Sequence, residues 1–258
     1  MVLRYVYLHK RSLPRSLEIV FWPVMELFVW GFVAMHIRAS AGDALAAMAS
    51  SLINAMIFWD LLYRSQQGVS VSVVEDIWTQ NIVNLLVSPL KIWEWMLATF
   101  LYGTLKTLLI VVILTALALA MYEFNLVSTL QFYLIPLGAC LLLFGWALGL
   151  FTSALVIRWG HAAEALIWGV PFLIQPFSAI FYPVSALPEW LRPLALALPS
   201  TYVFEGMREV IRTGTMPLGH LAAAAVLDVV YFALAALFFA WMHRQARRSG
   251  RLGRLGVD

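Results

Sequence analysis

Charge is what this chain has least of. Only 12% of its 258 residues are Asp, Glu, Lys or Arg, while 62% are hydrophobic; an average soluble domain carries about 25% charged and about 45–50% apolar residues. That scarcity excludes a water-soluble globular surface and implies an integral membrane protein. Cysteine is limited to Cys140, inside an apolar run, so no intrachain disulfide can form and the thiol serves as a small core hydrophobe. A phosphate-cradling loop is missing. Such a loop needs two glycines and a Lys-Ser/Thr pair between a strand and a helix, and Gly103-Thr104-Leu105-Lys106-Thr107 has neither the second glycine nor a strand before it. His9, His36, His161, His220 and His243 lack the spacing that brings metal ligands together on one helix. No repeat, low-complexity tract or long polar linker divides the chain, so a single domain over 1–258 is expected.

What is present is a series of long apolar runs. At about 20 residues per crossing, spans are expected near 19–37, 44–62, 95–121, 132–157, 162–181 and 218–242. This makes the fold all-α, with six transmembrane helices and both termini on one side. The side carrying the termini holds Arg4, Lys10, Arg11, Arg15, Arg64, Lys91, Arg158 and the arginines after residue 242, against Arg38, Arg192, Arg208 and Arg212 on the other. The bias makes the termini cytoplasmic. It also accounts for the net charge of +3 without a nucleic-acid partner. The first run is longer than a signal-peptide core and contains Glu26, so it is read as an anchor rather than a leader cleaved at Ala39-Ser40-Ala41. Before it, residues 2–12 place Leu3, Val6 and Tyr7 opposite Arg4, Lys10 and Arg11, as in a helix lying among lipid headgroups. The basic end beyond residue 242 reads as a flexible, lipid-facing tail.

Three features carry chemistry. Between the second and third runs, Ser72, Glu75, Asp76, Thr79, Gln80 and Asn84 recur at three- and four-residue steps, with Val74, Ile77, Trp78, Ile82 and Leu85 on the opposite arc. This spacing predicts an amphipathic helix over 74–85, ended at Ser88-Pro89. Such a helix docks on a partner protein or lies on the lipid surface. Glu26, Lys106 and Asp228 fall inside apolar runs, where each ionised group costs about 2.5–3.5 kcal/mol on insertion scales. The simplest arrangement pairs Lys106 with one of the acids, as glue between helices or as a substrate contact. Finally, residues 177–213 break into short Pro-bounded pieces that stay apolar yet carry Glu and Arg, which suits short helices dipping into one membrane face. Within them Glu189 and Arg192 are spaced to pair on one helix face.

That last stretch resembles the signature region of the ABC-2 type transporter permeases. The resemblance rests on Tyr182-Pro183, Leu187-Pro188-Glu189-Trp190-Leu191, and Pro199 to Tyr202 followed by Glu205-Gly206-Met207-Arg208. It implies an amphipathic N-terminal interface helix, a cytoplasmic coupling helix between spans two and three, and a re-entrant external segment between spans five and six. Coupling to an ATPase is then expected from Glu75, Asp76, Trp78 and Gln80, and an external gate from Tyr182, Pro183 and Leu187. Glu26, Lys106 and Asp228 are expected in the translocation path or an intramembrane polar network. The partners implied are a second copy of the chain, two ABC ATPase subunits that bind ATP and Mg, and membrane lipids. The chain itself is then a transport subunit and not an enzyme, with no cofactor or metal of its own. The expected role is export of a hydrophobic or amphiphilic substrate, with a lipid-linked glycan as the alternative and an ion channel or proton-coupled transporter as the reading from a different class. The location implied is a bacterial inner membrane. The N-terminal Arg11-Ser12-Leu13-Pro14-Arg15 departs from the pattern of polysaccharide-exporting members, and no large external domain is present.

Overall fold

The structure is a computed structural model that describes residues 1–10, 13–40, 43–215 and 217–248. Among them there is no strand. Eleven α-helices follow one another: α1 (Val2–Lys10), α2 (Leu13–Ser40), α3 (Asp43–Trp78), α4 (Ile82–Val87), α5 (Ile92–Tyr122), α6 (Leu126–Leu130), α7 (Leu134–Trp159), α8 (Ala165–Ile174), α9 (Arg192–Leu196), α10 (Pro199–Thr213) and α11 (Leu218–Arg248). Arg11, Ser12 and Ala41, and residues 249–258 of the expected flexible tail, lie outside the described residues.

Among the described residues, four helical stretches are long and apolar enough to cross a membrane: Ile19–Ala39, Ile92–Tyr122, Leu126–Ala163 and Leu218–Arg248. The two remaining expected spans take a different form. The second, expected near 44–62, is part of α3, whose 36 residues extend about 54 Å, well beyond an apolar core about 30 Å thick. Its helix runs on through the polar sequence Arg64, Ser65, Gln66 and Gln67 because those side chains are covered by neighbours rather than by lipid. The fifth, expected near 162–181, is broken. α8 contains Pro171 and gives way to a 3-10 turn, Gln175–Phe177, with Pro176 inside it. Proline removes a backbone donor and crowds the preceding turn, so the apolar helix ends there.

α7 forms the centre and packs most extensively on α11 and α3, while α5 lies against α3. Small residues allow the close approaches. A Cβ on Gly68 would sit 2.5 Å from the Gly103 Cα, so α3 and α5 touch backbone to backbone; Gly145 of α7 leaves the same kind of space for Ser65 and the Leu62 carbonyl of α3. On α5, Leu101, Leu105, Leu108 and Leu109 face outward uncovered, as lipid-facing side chains do.

The core divides into two apolar clusters along the bundle. One contains Leu62, Phe144 and Phe204, the other Val69, Trp95, Leu155 and Phe239. Between them on α3 lies a buried polar seam. Ser65 Oγ donates to the Leu142 carbonyl at 2.8 Å, Gln66 Nε2 to Thr152 Oγ1 at 3.2 Å and the Ile167 carbonyl at 3.2 Å, and Ser70 meets Thr152 at 2.6 Å. With partners present, these hydroxyls and the Gln66 amide nitrogen join α3 to α7 and α8 instead of costing desolvation, although Gln66 Oε1 is buried with no hydrogen-bond partner among the described residues.

The two Pro-marked segments lie at opposite ends of this bundle. At one end the close of α3 meets Trp95 through Asp76 and Glu164 through Trp78, and α4 shares a small cavity with Trp95 and His243. At the other, Gly206 of α10 sits over Leu137 and His220, and Phe181 stacks on Trp30 with ring centroids 4.5 Å apart.

Candidate functional site

The expected 74–85 helix is not a separate element. Residues 74–78 are the last turns of α3; Thr79 and Gln80 then turn the chain, Gln80 with φ 53°, and the six-residue α4 follows before the break at Pro89. Extending α3 to Trp78 carries the first part of the polar stripe into the bundle, while Thr79, Gln80 and Asn84 stay exposed. Ser72, Glu75 and Asp76 are buried, whereas Trp78, from the arc expected to anchor, is exposed.

Asp76 is the hub of this end. Its carboxylate accepts from Arg4 Nη2 at 2.6 Å, from the Tyr5 hydroxyl at 2.7 Å, from Trp95 Nε1 at 2.9 Å and from Asn81 Nδ2 at 3.3 Å. One buried carboxylate therefore ties α1, the 79–81 turn and α5 to the end of α3. Tyr5 stacks on Tyr102 at 5.3 Å and has no exposed surface. Burial, and then the neighbouring Asp76 charge, pushes the Tyr5 phenol well above its ordinary range. The N-terminal helix thus buries Tyr5 against the bundle while Leu3 and Tyr7 face outward. Trp78 donates to Glu164 at 2.8 Å, and Glu164 also meets His161 Nδ1 at 2.5 Å.

Above the turn a cavity of about 480 Å³ opens between α2, α3, α5 and α8. Ile19 and Trp22 line it from α2, Lys106 from α5, Trp168 from α8, and a stripe that includes Arg64 and Glu75 from α3. Arg64 holds Asp60 through Nε at 3.0 and 3.2 Å.

At the opposite end the irregular chain is held by side chains of regular helices. Glu205 accepts the Val184 N–H at 2.7 Å and pairs with Arg208 at 3.1 Å, while Arg208 Nη1 donates to the Ile180 carbonyl at 3.1 Å. Arg192 donates to the carbonyls of Leu187 at 3.0 Å and Ser185 at 3.1 Å. Ser178 and Ser200 meet at 2.8 Å, and the Tyr182 hydroxyl donates to the Pro176 carbonyl. α10 is shaped for this task. Pro199 opens it, Gly214 closes it with φ 73°, and Val203, Phe204, Met207 and Val210 are buried while Glu205 and Arg208 reach the loop.

A family model described as ABC-2 type transporter matches residues 9–211, a stretch that takes in both ends just described. The chain belongs to the ABC-2 type transporter family. No match was found among curated proteins. Membership makes the chain a multi-pass membrane component of a transporter and implies association with ABC ATPase partners.

Within this permease fold the residues expected in one network do not all meet: Arg64 links the surroundings of Lys106 and Glu26, while Asp228 lies apart. Lys106 lies over the Tyr102 ring at 5.9 Å and shares the cavity wall with Glu75. Glu26 lies in the field of Asp60 and Arg64. Asp228 is fully buried on α11, and its carboxylate faces only the weak Cys140 thiol among the described residues. Lys106 is therefore not paired with Asp228. Tyr182 and Pro183 lie on the irregular stretch between the 3-10 turns Gln175–Phe177 and Val184–Ala186, and Leu187 is largely buried just after the second. Pattern reading gave no role at this site to Tyr5 and Trp95, and it named Glu205 and Arg208 only within the family-like string, without their role as backbone anchors. The last two had a visible signal: an acid and a base one helical turn apart beside a segment with no regular hydrogen bonding of its own.

Proposed function

We propose that this chain is the permease subunit of an ABC exporter, moving a hydrophobic or amphiphilic substrate out of the cytoplasm or inner leaflet with energy from ATP hydrolysis on a separate subunit. Two copies form the path and two ATPases bind beneath them. The chain is a single transmembrane domain of six crossings, α3 and the broken α8 serving as the second and fifth, in a bacterial inner membrane with both termini cytoplasmic. The observation that carries this reading is the placement of the two family-like segments at opposite ends of one bundle. A tight turn at one end is then available to a soluble partner, and an ordered re-entrant segment covers the other.

In this reading Trp78 and Gln80 present the docking surface, since both are exposed, while Glu75 and Asp76 stiffen it from behind, since both are buried. A rigid lever transmits motion where a loose loop absorbs it. Tyr182, Pro183 and Leu187 form the external gate. The decisive experiment is co-expression with the ATPase encoded beside this chain, followed by efflux of a hydrophobic dye into inverted vesicles. The expected result is co-purification and dye movement that requires ATP and stops when the ATPase is inactivated. Movement indifferent to ATP but abolished by collapsing the proton gradient would replace the reading with a proton-coupled transporter. Cysteine labels in a Cys140-free background at Asn84 and Glu189, both exposed, are expected to react from the cytoplasmic and external sides respectively.

A further inference from the structure

The cavity above the turn has a pattern specific enough to name a ligand class. On α3 its wall is a stripe of Tyr63, Gln67, Val71, Glu75 and Trp78 at steps of three and four residues, with Arg64 beside Tyr63, so it runs about 20 Å along the helix axis. The facing indoles of Trp22 and Trp168 are exposed, as is Trp78. Trp22 stands near the start of an apolar span, and indoles at such boundaries sit at headgroup depth.

The wall carries charges of both signs, with Glu26 close by in the field of Arg64 and Asp60. Arg64 is matched by Asp60, which it holds through Nε, leaving both Nη nitrogens outside that contact. Lys106 and Glu75 contribute one charge of each sign. A ligand of single charge meets repulsion as well as attraction in such a site, whereas a headgroup carrying both charges finds complements for each. Guanidinium nitrogens suit a phosphate, and indole faces suit an ammonium. The length of the groove and its apolar side chains leave room for an acyl chain. We propose that this cavity binds a zwitterionic amphiphile with a phosphate-and-ammonium head. The proposal deepens the permease reading and rests on it only for the claim that the bound molecule is moved.

The full chain, purified in maltoside detergent, is titrated with dodecylphosphocholine below its micellar concentration, and bound molecules are counted by native mass spectrometry. Dodecyl phosphate and dodecyltrimethylammonium serve as single-charge probes. One dodecylphosphocholine per chain is expected, bound at least about tenfold more tightly than either single-charge probe. Trp22→Ala with Trp168→Ala is expected to weaken it about tenfold. Arg64→Lys keeps the charge opposite Asp60 but removes the fork, so it is expected to weaken both phosphate probes and leave the ammonium probe unchanged. Equal affinity for all three probes, or unchanged binding in variants whose thermal unfolding matches the parent, would overturn the proposal. In nanodiscs, competition by phosphatidylcholine but not by phosphatidylglycerol assigns the source to the bilayer, and displacement by the single-chain probe alone assigns it to a free amphiphile. Selective binding without ATP-driven transport keeps the site and removes the exporter reading, whereas transport without selective binding does the reverse.

Discussion

The two ends of the bundle solve one problem, irregular backbone and charge at a membrane boundary, in opposite ways. At the turn end a single buried acid, Asp76, gathers donors from residues 4, 5, 81 and 95, so segments far apart in sequence share one acceptor. At the loop end the direction is reversed, and Glu205 of a regular helix reaches out to satisfy backbone that has no partner of its own. Concentration in one residue makes the first arrangement stiff and vulnerable. Distribution over Glu205, Arg208, Arg192 and Ser200 makes the second tolerant of any one loss.

The largest effect is therefore expected at Asp76. Asp76→Ala takes the shared carboxylate from Tyr5 and Trp95, leaving Trp95 only the Tyr5 hydroxyl at 3.1 Å, and leaves Arg4 without its counter-ion; removing one partner of a buried pair costs about 3–5 kcal/mol. Because Arg4 is partly exposed, the expected loss is near the lower figure, about 3 kcal/mol, read from thermal or denaturant unfolding in detergent. Glu205→Ala comes next. It removes one charged hydrogen bond and one ion pair, a loss of about 2 kcal/mol, and hydrogen exchange is expected to speed up at Val184 while the Asp76 end stays protected. If the two substitutions cost the same, or if exchange speeds up at both ends, the contrast between them is wrong.

Tyr5 sharpens the comparison through pH. In the folded chain its phenol holds its proton well above the ordinary range because it is buried beside Asp76, while an unfolded tyrosine ionises near pH 10, a value of about 10 being usual. Above that pH the folded chain binds the extra proton, so stability falls as pH rises. Tyr5→Phe is expected to lose about 1.5 kcal/mol at neutral pH and to flatten the decline between about pH 10 and 11. A parent and variant with the same slope there would separate Tyr5 from the hub.

Hydropathy exposed the helical membrane class, and the apolar runs near 95–121, 132–157 and 218–242 reappear as α5, α7 and α11. Polar periodicity located the turn and the exposure of Thr79, Gln80 and Asn84, but not the burial of Ser72, Glu75 and Asp76 or the exposure of Trp78. A stripe of Ser72, Glu75 and Asp76 looks the same whether water or a partner helix covers it, and only the position of Tyr5, Trp95 and Gly103 decides which. Contacts of that kind span more than 70 residues for the pairs to Arg4 and Tyr5, beyond the reach of any local pattern. Pro171 and Pro176 marked a disturbance in the fifth run, yet a kink and a full break have the same sequence signature, and the 3-10 turn at Gln175–Phe177 settles the difference. At the loop end the Glu205-Gly206-Met207-Arg208 string was legible as a motif, and its role as a backbone anchor followed only from seeing Val184 and Ile180 beside it.

The smallest effect is expected at Glu189, and it tests whether charge as such matters at the loop end. Sequence spacing pairs Glu189 with Arg192, and the two do approach to 4.0 Å, but the Glu189 side chain is 92% exposed. Arg192 instead spends its donors on the carbonyls of Leu187 and Ser185. An exposed contact at that distance gains little in water and is screened by salt. Glu189→Gln should accordingly change stability by less than about 0.5 kcal/mol and leave passive leak through reconstituted vesicles unchanged. Arg192→Met frees two carbonyls of the irregular segment, so it should cost more than Glu189→Gln does, in salt as well as without it. If instead the two substitutions are equal and both effects vanish at high salt, an ion pair holds this end, and the distinction between a charge hub and a backbone anchor fails.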